Sequence, residues 1–415
     1  MKRRVHFLVI GAFLAGGMTG CGKSASAPSP SPSSGPTAAA TDLPPPLSAY
    51  ATTSGATAIG NLNGQIKTLE AYLAASEGAP RTGTVVERRR TLVDLLAVRG
   101  EFSGKIQDLE RSADLAEALP EIAPEASSYL TRAGARASLH RFDAASADLD
   151  EAERLGAPKA RVRASRVSIL EARGQLEEAL SLQREATSTR RDIGPAIVLG
   201  SLLGEVGRRD EALAAFRKAL TEYGDTSPFP VAWLFFQQGT LWEREGRRDL
   251  AIAYYRAALE RVPTYAHAAA HLARLVPAEQ APSILEPLLA TSDDPEILGV
   301  LADRLRERGE KEKAETYVTR AAARYDELMT RQPFAFADHA AQFWLDTGGD
   351  PKKALDLAKI NLQARKTPKA YELAVTAALS AGDRAGACAI GTEGASVARA
   401  DGMLRDIVKD ACAAK

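Results

Sequence analysis

Alanines recur in this chain at a spacing close to 34 residues, and no other feature limits its possible folds so strongly. Ala145, Ala179, Ala212 and Ala251 stand 34, 33 and 39 residues apart. Ahead of three of them lie Gly174, Gly207 and Gly246, and His140 takes that slot before the first. The pattern reads as two helices joined by a tight turn, repeated. Glycine suits such a turn because it reaches φ > 0 without a steric penalty. Small residues (Gly200, Gly239, Ala212, Ala251) let paired helices approach closely. Larger ones fill the gaps: Leu149, Phe216 and Tyr255 on second helices, Leu170, Leu203 and Trp242 on first helices. A lone hairpin of this kind cannot bury its own apolar face, so the units must stack.

The longer step to Ala251 has a visible cause, the Pro-rich insertion Gly224–Pro230. Such insertions fall in loops. Downstream the pattern continues in weaker form at Ala281, Gly309/Ala314, Gly349/Ala354 and Gly382/Ala387. Upstream, Leu92 to Leu119 around Gly100 reads as a worn copy, preceded by one apolar helical face of Leu62, Ile66, Leu69 and Leu73. No alternating β-branched stretch argues for a strand.

One unit carries most of the signal: Gly239, Trp242, Gly246, Ala251, Tyr255, Ala258, Leu259 and Pro263. On these residues the chain resembles the tetratricopeptide repeat family over roughly residues 126–400. Ala302 and Gln342 depart from it where a first-helix glycine is usual. The resemblance implies an all-α, right-handed α-solenoid with a concave groove, and it leaves the ligand of that groove open. The expected organisation is a leader at 1–20, a tether at 21–58 and a degenerate helical-hairpin region at 59–125. The best-defined repeats follow at 126–265, degenerate ones at 266–400, and a capping helix at 401–415.

The start of the chain reads as an address. Lys2, Arg3 and Arg4 precede an apolar run from Val5 to Met18, and Thr19-Gly20-Cys21 follows. This is the form of a secretory signal. Its last residues resemble a bacterial lipobox, which implies cleavage before Cys21 and lipidation of that cysteine. Met18 stands where leucine is more usual. Ser24 to about Thr57 is rich in Ser, Pro, Ala, Gly and Thr, a composition expected to remain a disordered tether. The expected location is extracytoplasmic and lipid-anchored at a bacterial cell envelope, on the outer membrane if the cell is Gram-negative. Cys388 and Cys412 remain. In an oxidising compartment they are expected to pair and tie down the C-terminal cap, the alternative being two small buried thiols.

Basic and acidic residues balance at 53 each, so no overall attraction to nucleic acid or anionic membranes is expected. Chemistry-bearing motifs are few. Gly17 to Ser24 matches the phosphate-loop pattern, yet it leads into Ser-Ala-Pro-Ser-Pro where that chemistry needs a helix. His267 and His271 share a helix face at metal-binding spacing, but no third ligand is evident, and a pair of surface histidines is expected. Arg88-Arg89-Arg90 reads as a solvated helix face. No catalytic set can be placed, no metal or other cofactor is expected, and an enzyme is not.

The resemblance implies that first helices line the groove through Arg161, Ser168, Ile197, Ser201, Trp233, Phe236, Thr240, Glu243, Asp303, Arg306, Phe336, His339 and Phe343. Trp233 and Phe236 stand out, since Phe235, Trp242 and Tyr255 suffice for the repeat's own packing. They read either as apolar anchors for a partner or as packing beneath the 227–230 insertion. The functional expectation is a scaffold holding a protein or peptide in its groove, touching the membrane only through its lipid. The alternatives are a nucleotide- or metal-dependent protein, or an envelope protein that self-associates.

Overall fold

The computed structural model describes residues 43–76, 83–186, 192–397 and 402–413, and it is an all-α array of tetratricopeptide-type helical hairpins with no β-strand among the described residues. A single helix α1 (Gly55–Ala75) leads into the hairpin α2 (Gly83–Ser103) and α3 (Ile106–Glu117), followed by the short α4 (Leu119–Ile122). Four regular hairpins come next: α5/α6 (Ala126–Ser138, Phe142–Arg154), α7/α8 (Lys159–Ala172, Leu176–Arg184), α9/α10 (Gly194–Glu205, Arg209–Glu222) and α11/α12 (Phe229–Arg244, Arg248–Arg261). The array ends with α13/α14 (Ala266–Leu275, Ala281–Leu285), α15/α16 (Pro295–Glu307, Lys311–Arg331), α17/α18 (Pro333–Leu345, Pro351–Ala364), α19/α20 (Pro368–Ser380, Arg384–Val397) and α21 (Gly402–Cys412).

Within each hairpin the small residues act as anticipated. A Cβ on Gly239 would stand 2.5 Å from the ring of Tyr255, and one on Gly200 would stand 2.5 Å from the ring of Phe216. The second-helix aromatic therefore lies directly on the first-helix backbone. Turn glycines 174, 207, 246, 309, 349 and 382 all have positive φ. His140 joins them at φ 54°, the lone non-glycine to do so among the described residues. The worn upstream copy turns at Gly104, φ 57°, rather than at Gly100.

The array closes on itself. Three successive turns of its first part dock onto three successive loops of its last part. The Gly104 carbonyl accepts from Ser292 Oγ at 2.8 Å and from the Asp293 amide at 3.1 Å. His140 Nδ1 lies 2.8 Å from the Phe334 carbonyl, beside Arg141 donating to Gln332 at 2.9 Å. The Arg173 carbonyl accepts from the Lys366 amide at 3.3 Å. The extended α16 reinforces the junction, with Arg331 at 3.0 Å and Arg324 at 3.8 Å from the Glu110 carboxylate.

The interior is also filled. Leu62, Ile66 and Leu69 of α1 and Leu92, Leu95, Leu96 and Phe102 of α2 belong to one buried core with Ile197, Trp233 and Phe236. The Phe102 ring sits 4.9 Å from Phe229 and 4.7 Å from Tyr265. The segment ahead of α1 is fastened to the body. Arg261, 2% exposed, donates to the carbonyls of Leu47 and Tyr50, each at 2.8 Å, and to Thr52 Oγ1 at 3.0 Å. Residues 47–53, assigned to the tether by composition, thus lie on the repeats through backbone groups, which composition does not report. At the other end Cys388 and Cys412 are joined by a disulfide that holds α21 against α20.

Candidate functional site

Closure brings polar side chains together that are far apart in sequence. Among the described residues every histidine (His140, His267, His271 and His339) lies in the interior between the two parts of the array. A cavity of about 70 Å³ there is bordered by Glu101, His140, His267, Asp294, Tyr325, Phe336, Asp338, His339 and Arg365. Its walls come from α2, α3, the α5–α6 turn, α13, the start of α15, α16, α17 and Arg365 just after α18.

His267 and His271 are not surface residues. Both are buried, because α13 is covered by α2, α12 and α15. They also face different partners. His271 Nδ1 lies 2.9 Å from Glu243 and 3.2 Å from the Tyr255 hydroxyl, which itself donates to Glu243 at 2.6 Å. His267 turns to the cavity, with Nδ1 3.7 Å from Glu296 Oε2 and Nε2 4.0 Å from Glu101 Oε2. Burial opposes a charge on this imidazole, but Glu296, Glu101 and Asp294 outweigh it and lift its pKa to about 9. Burial raises the Glu101 carboxyl. For Glu296, burial is overcome by Arg274, whose Nη2 lies 2.7 Å away, and by His267 and His339, so its carboxyl falls well below the usual range. His140, by contrast, is held neutral. Burial and the Arg365 guanidinium bring it down to about 4.

The thirteen groove positions do not line one open trough. Ser168, Ile197, Trp233, Phe236, Thr240 and Phe343 are buried. Phe236 sits among the rings of Tyr265, His271 and Tyr255, at 5.3, 5.4 and 5.8 Å. Trp233 shares the core with α1 and α2, so neither aromatic is presented to a partner. The cause is the same for both: α1, α2 and α13 occupy the space that an open solenoid would leave empty. Phe343 packs on Tyr325 at 5.1 Å. Phe336 is partly buried against the Leu119–Leu139 core. Glu243 is bound in the His271 network. Asp303 accepts from Thr347 at 2.8 Å, and Arg306 pairs with Glu315 at 2.7 Å. His339 reaches the cavity, and Arg161 is exposed on α7. Cys21 and the phosphate-loop match at 17–24 lie outside the described residues.

A small notch of about 10 Å³ remains between first helices along one strip. It crosses α7, α9 and α11 and is lined by Glu171, Ser201, Glu205, Gln237, Thr240 and Arg244. Arg244 pairs with Glu205 at 2.5 Å, whereas the Ser201 hydroxyl finds no hydrogen-bond partner. Lys369 of α19 lies near this strip. Burial and then the Arg244 charge bring its ammonium down to about 8.

Asp294 and Glu296 went unnoticed in the sequence because they look like an ordinary helix start. Asp294 does cap α15, with Oδ1 accepting from the Glu296 amide at 2.8 Å. A donor atom from each of His267, Asp294 and Glu296 lies within 4.8 Å of the other two, the one grouping among the described residues with the makings of a metal site.

No protein-family model and no curated protein matches the chain. Three solved structures are similar in outline. The Cut9–Hcn1 hetero-tetramer of the APC/C is 17% identical over 83% of this chain, with a TM-score of 0.39, and the chain spans 58% of that protein's length. A tetratricopeptide repeat protein from Parabacteroides merdae is 14% identical, with 65% of this chain and 99% of that one covered, at a TM-score of 0.38. A human IFIT1 dimer with m7Gppp-AAAA is 11% identical, with 83% and 84% covered, at a TM-score of 0.42.

Proposed function

We propose that this chain is a lipid-anchored, non-catalytic scaffold on the extracytoplasmic side of a bacterial cell envelope, and that it holds a protein or peptide partner rather than nucleic acid. The lipid on Cys21 attaches it, and no helix among the described residues is long and apolar enough to cross a membrane. Partner contact falls at the mouth of the notch across α7, α9 and α11, at Glu205 and Arg244, and not on Trp233 or Phe236. The observation that carries this reading is the Arg244–Glu205 pair, 27% and 22% exposed, at the mouth of a polar notch with Glu171 and Thr240 behind it. Backbone amides and carbonyls of an extended segment match such a row of donors and acceptors.

The test is a photo-crosslinking residue placed at Glu205, beside the notch, or at Lys218, exposed on the outer helix α10. In whole cells the first position is expected to capture a discrete protein and the second is not. Equal capture at both, or none at either, rejects the strip as the contact surface. Cys21→Ser is expected to abolish palmitate labelling and to release the chain from the membrane fraction. Unchanged labelling rejects the anchor.

A further inference from the structure

The cavity at the closure point has a composition that neither scaffolding nor helix packing requires. We propose that His267, Asp294, Glu296 and His339 form a binding site for one divalent transition-metal ion, which staples α13, α15 and α17 together. The proposal goes beyond the scaffold reading and does not depend on it.

Geometry is the first support. The two imidazoles come from different helices, yet both turn Nδ1 toward the same carboxylate oxygen. His267 Nδ1 lies 3.7 Å and His339 Nδ1 4.0 Å from Glu296 Oε2. Both also turn Nε2 toward a second carboxylate: Glu101 at 4.0 Å for His267, and Asp338 at 3.9 Å for His339. A metal-ligating histidine typically presents one nitrogen to the ion and the other to a carboxylate that orients it. Four donors about 2.1 Å from a tetrahedral ion lie roughly 3.3 Å from one another. The donors of His267, Asp294 and Glu296 already lie within 4.8 Å of one another, so small rotations bring them to that value, while His339, 4.0 Å from Glu296 Oε2, swings in as the fourth.

The second support is an orphaned atom. His267 is 7% exposed, and its Nδ1 has no hydrogen-bond partner. A buried nitrogen left in this state costs free energy unless something occupies the space it faces. His267, Asp294 and His339 all border the cavity, and its size limits the occupant. About 70 Å³ holds an ion with one or two waters. Small organic ligands need about 300 Å³ or more. Two imidazoles and two carboxylates without a thiolate suit zinc, and also cobalt, iron or manganese. Four protein donors make a structural role the natural one.

The full chain, stripped with a chelator, is titrated with Zn²⁺ and separately with Co²⁺. One ion per chain, a rise in thermal midpoint with Zn²⁺ and visible absorption bands with Co²⁺ are expected. His339→Gln and Glu296→Gln should each lower affinity by at least about a hundredfold. His271→Gln, on the same helix as His267 but turned away from the cavity, should keep the stoichiometry. Far-UV circular dichroism verifies that each variant is folded. Should a variant fail to fold, zinc-edge X-ray absorption of the parent chain decides, with imidazole scattering expected. Substoichiometric metal without a thermal shift, binding retained in both ligand variants, or a spectrum lacking imidazole would each overturn the assignment.

Discussion

His140 offers a sharp test of the closed architecture, because its backbone strain and its neutral ring belong to the same contact. In the folded chain its imidazole stays neutral down to about pH 4, since burial and Arg365 disfavour the cation and Nδ1–H is given to the Phe334 carbonyl. Unfolded, it takes up a proton near pH 6.5. A depressed folded pKa means that its contribution is complete above pH 6.5 and is lost as the pH falls toward 4. Between pH 7 and pH 5 the loss amounts to about 2 kcal/mol. His140→Gly removes this titration. At pH 7 the variant forgoes one hydrogen bond, about 1 kcal/mol, and is relieved of a left-handed conformation costing a similar amount. Near-equality is therefore expected at pH 7, with the variant ahead by about 2 kcal/mol at pH 5. Solenoid arrays open by parts, so the readout is amide hydrogen exchange over residues 126–154, corrected for intrinsic rates. Comparing the two proteins at both pH values cancels every other titrating group. A difference that does not change with pH would refute a buried, neutral His140 at a docked turn.

Two further perturbations probe the same closure. Gly174→Ala adds a methyl group that overlaps the Lys366 carbonyl, at a residue with φ 83°. Gly207→Ala adds it at φ 76° with open space around. Both should lose about 1–2 kcal/mol for the backbone conformation, and only Gly174→Ala should also speed exchange in α18 and α19. Reducing the Cys388–Cys412 bridge, which spans 24 residues, should release about 3 kcal/mol of restraint on α21. Limited proteolysis is then expected to cut within α21 in reduced protein first. Identical digestion patterns in both redox states would place the stability of α21 elsewhere.

What was legible in the sequence was local. An alanine or glycine required by the partner helix of its own hairpin, such as Gly239 under Tyr255, leaves a mark at a fixed spacing. His140 stood in a glycine slot and took a glycine conformation. Its ring chemistry depends on Phe334, nearly two hundred residues on, and no local pattern reports that. The groove positions lie on first helices, and six of them are buried there. Trp233 and Phe236 looked surplus to their own repeat, and they are. The surplus is taken up by the core that α1 and α2 share with Phe229, Trp233 and Phe236, and by the α13 histidines around Phe236.

The absent trough and the interior cavity have one cause. An open solenoid keeps polar groups of its first helices in water, where a histidine or carboxylate needs no particular neighbour. Once the turns at Gly104, His140 and Gly174 dock on the loops at 292–293, 332–334 and 366, those same groups lose their water together. Each must then find a counter-charge within the enclosed space. Glu296 finds Arg274 and His267, and Glu110 finds Arg331 and Arg324. Glu101 is answered by the Tyr265 hydroxyl at 3.1 Å and by His267. His339 and His267 nonetheless keep nitrogens aimed at a shared carboxylate at distances too long for hydrogen bonds. Packing alone would have drawn them in or replaced them with apolar side chains, since buried ionic groups seldom out-stabilise well-fitted hydrocarbon. An ion held between them, as proposed above, would account for that spacing.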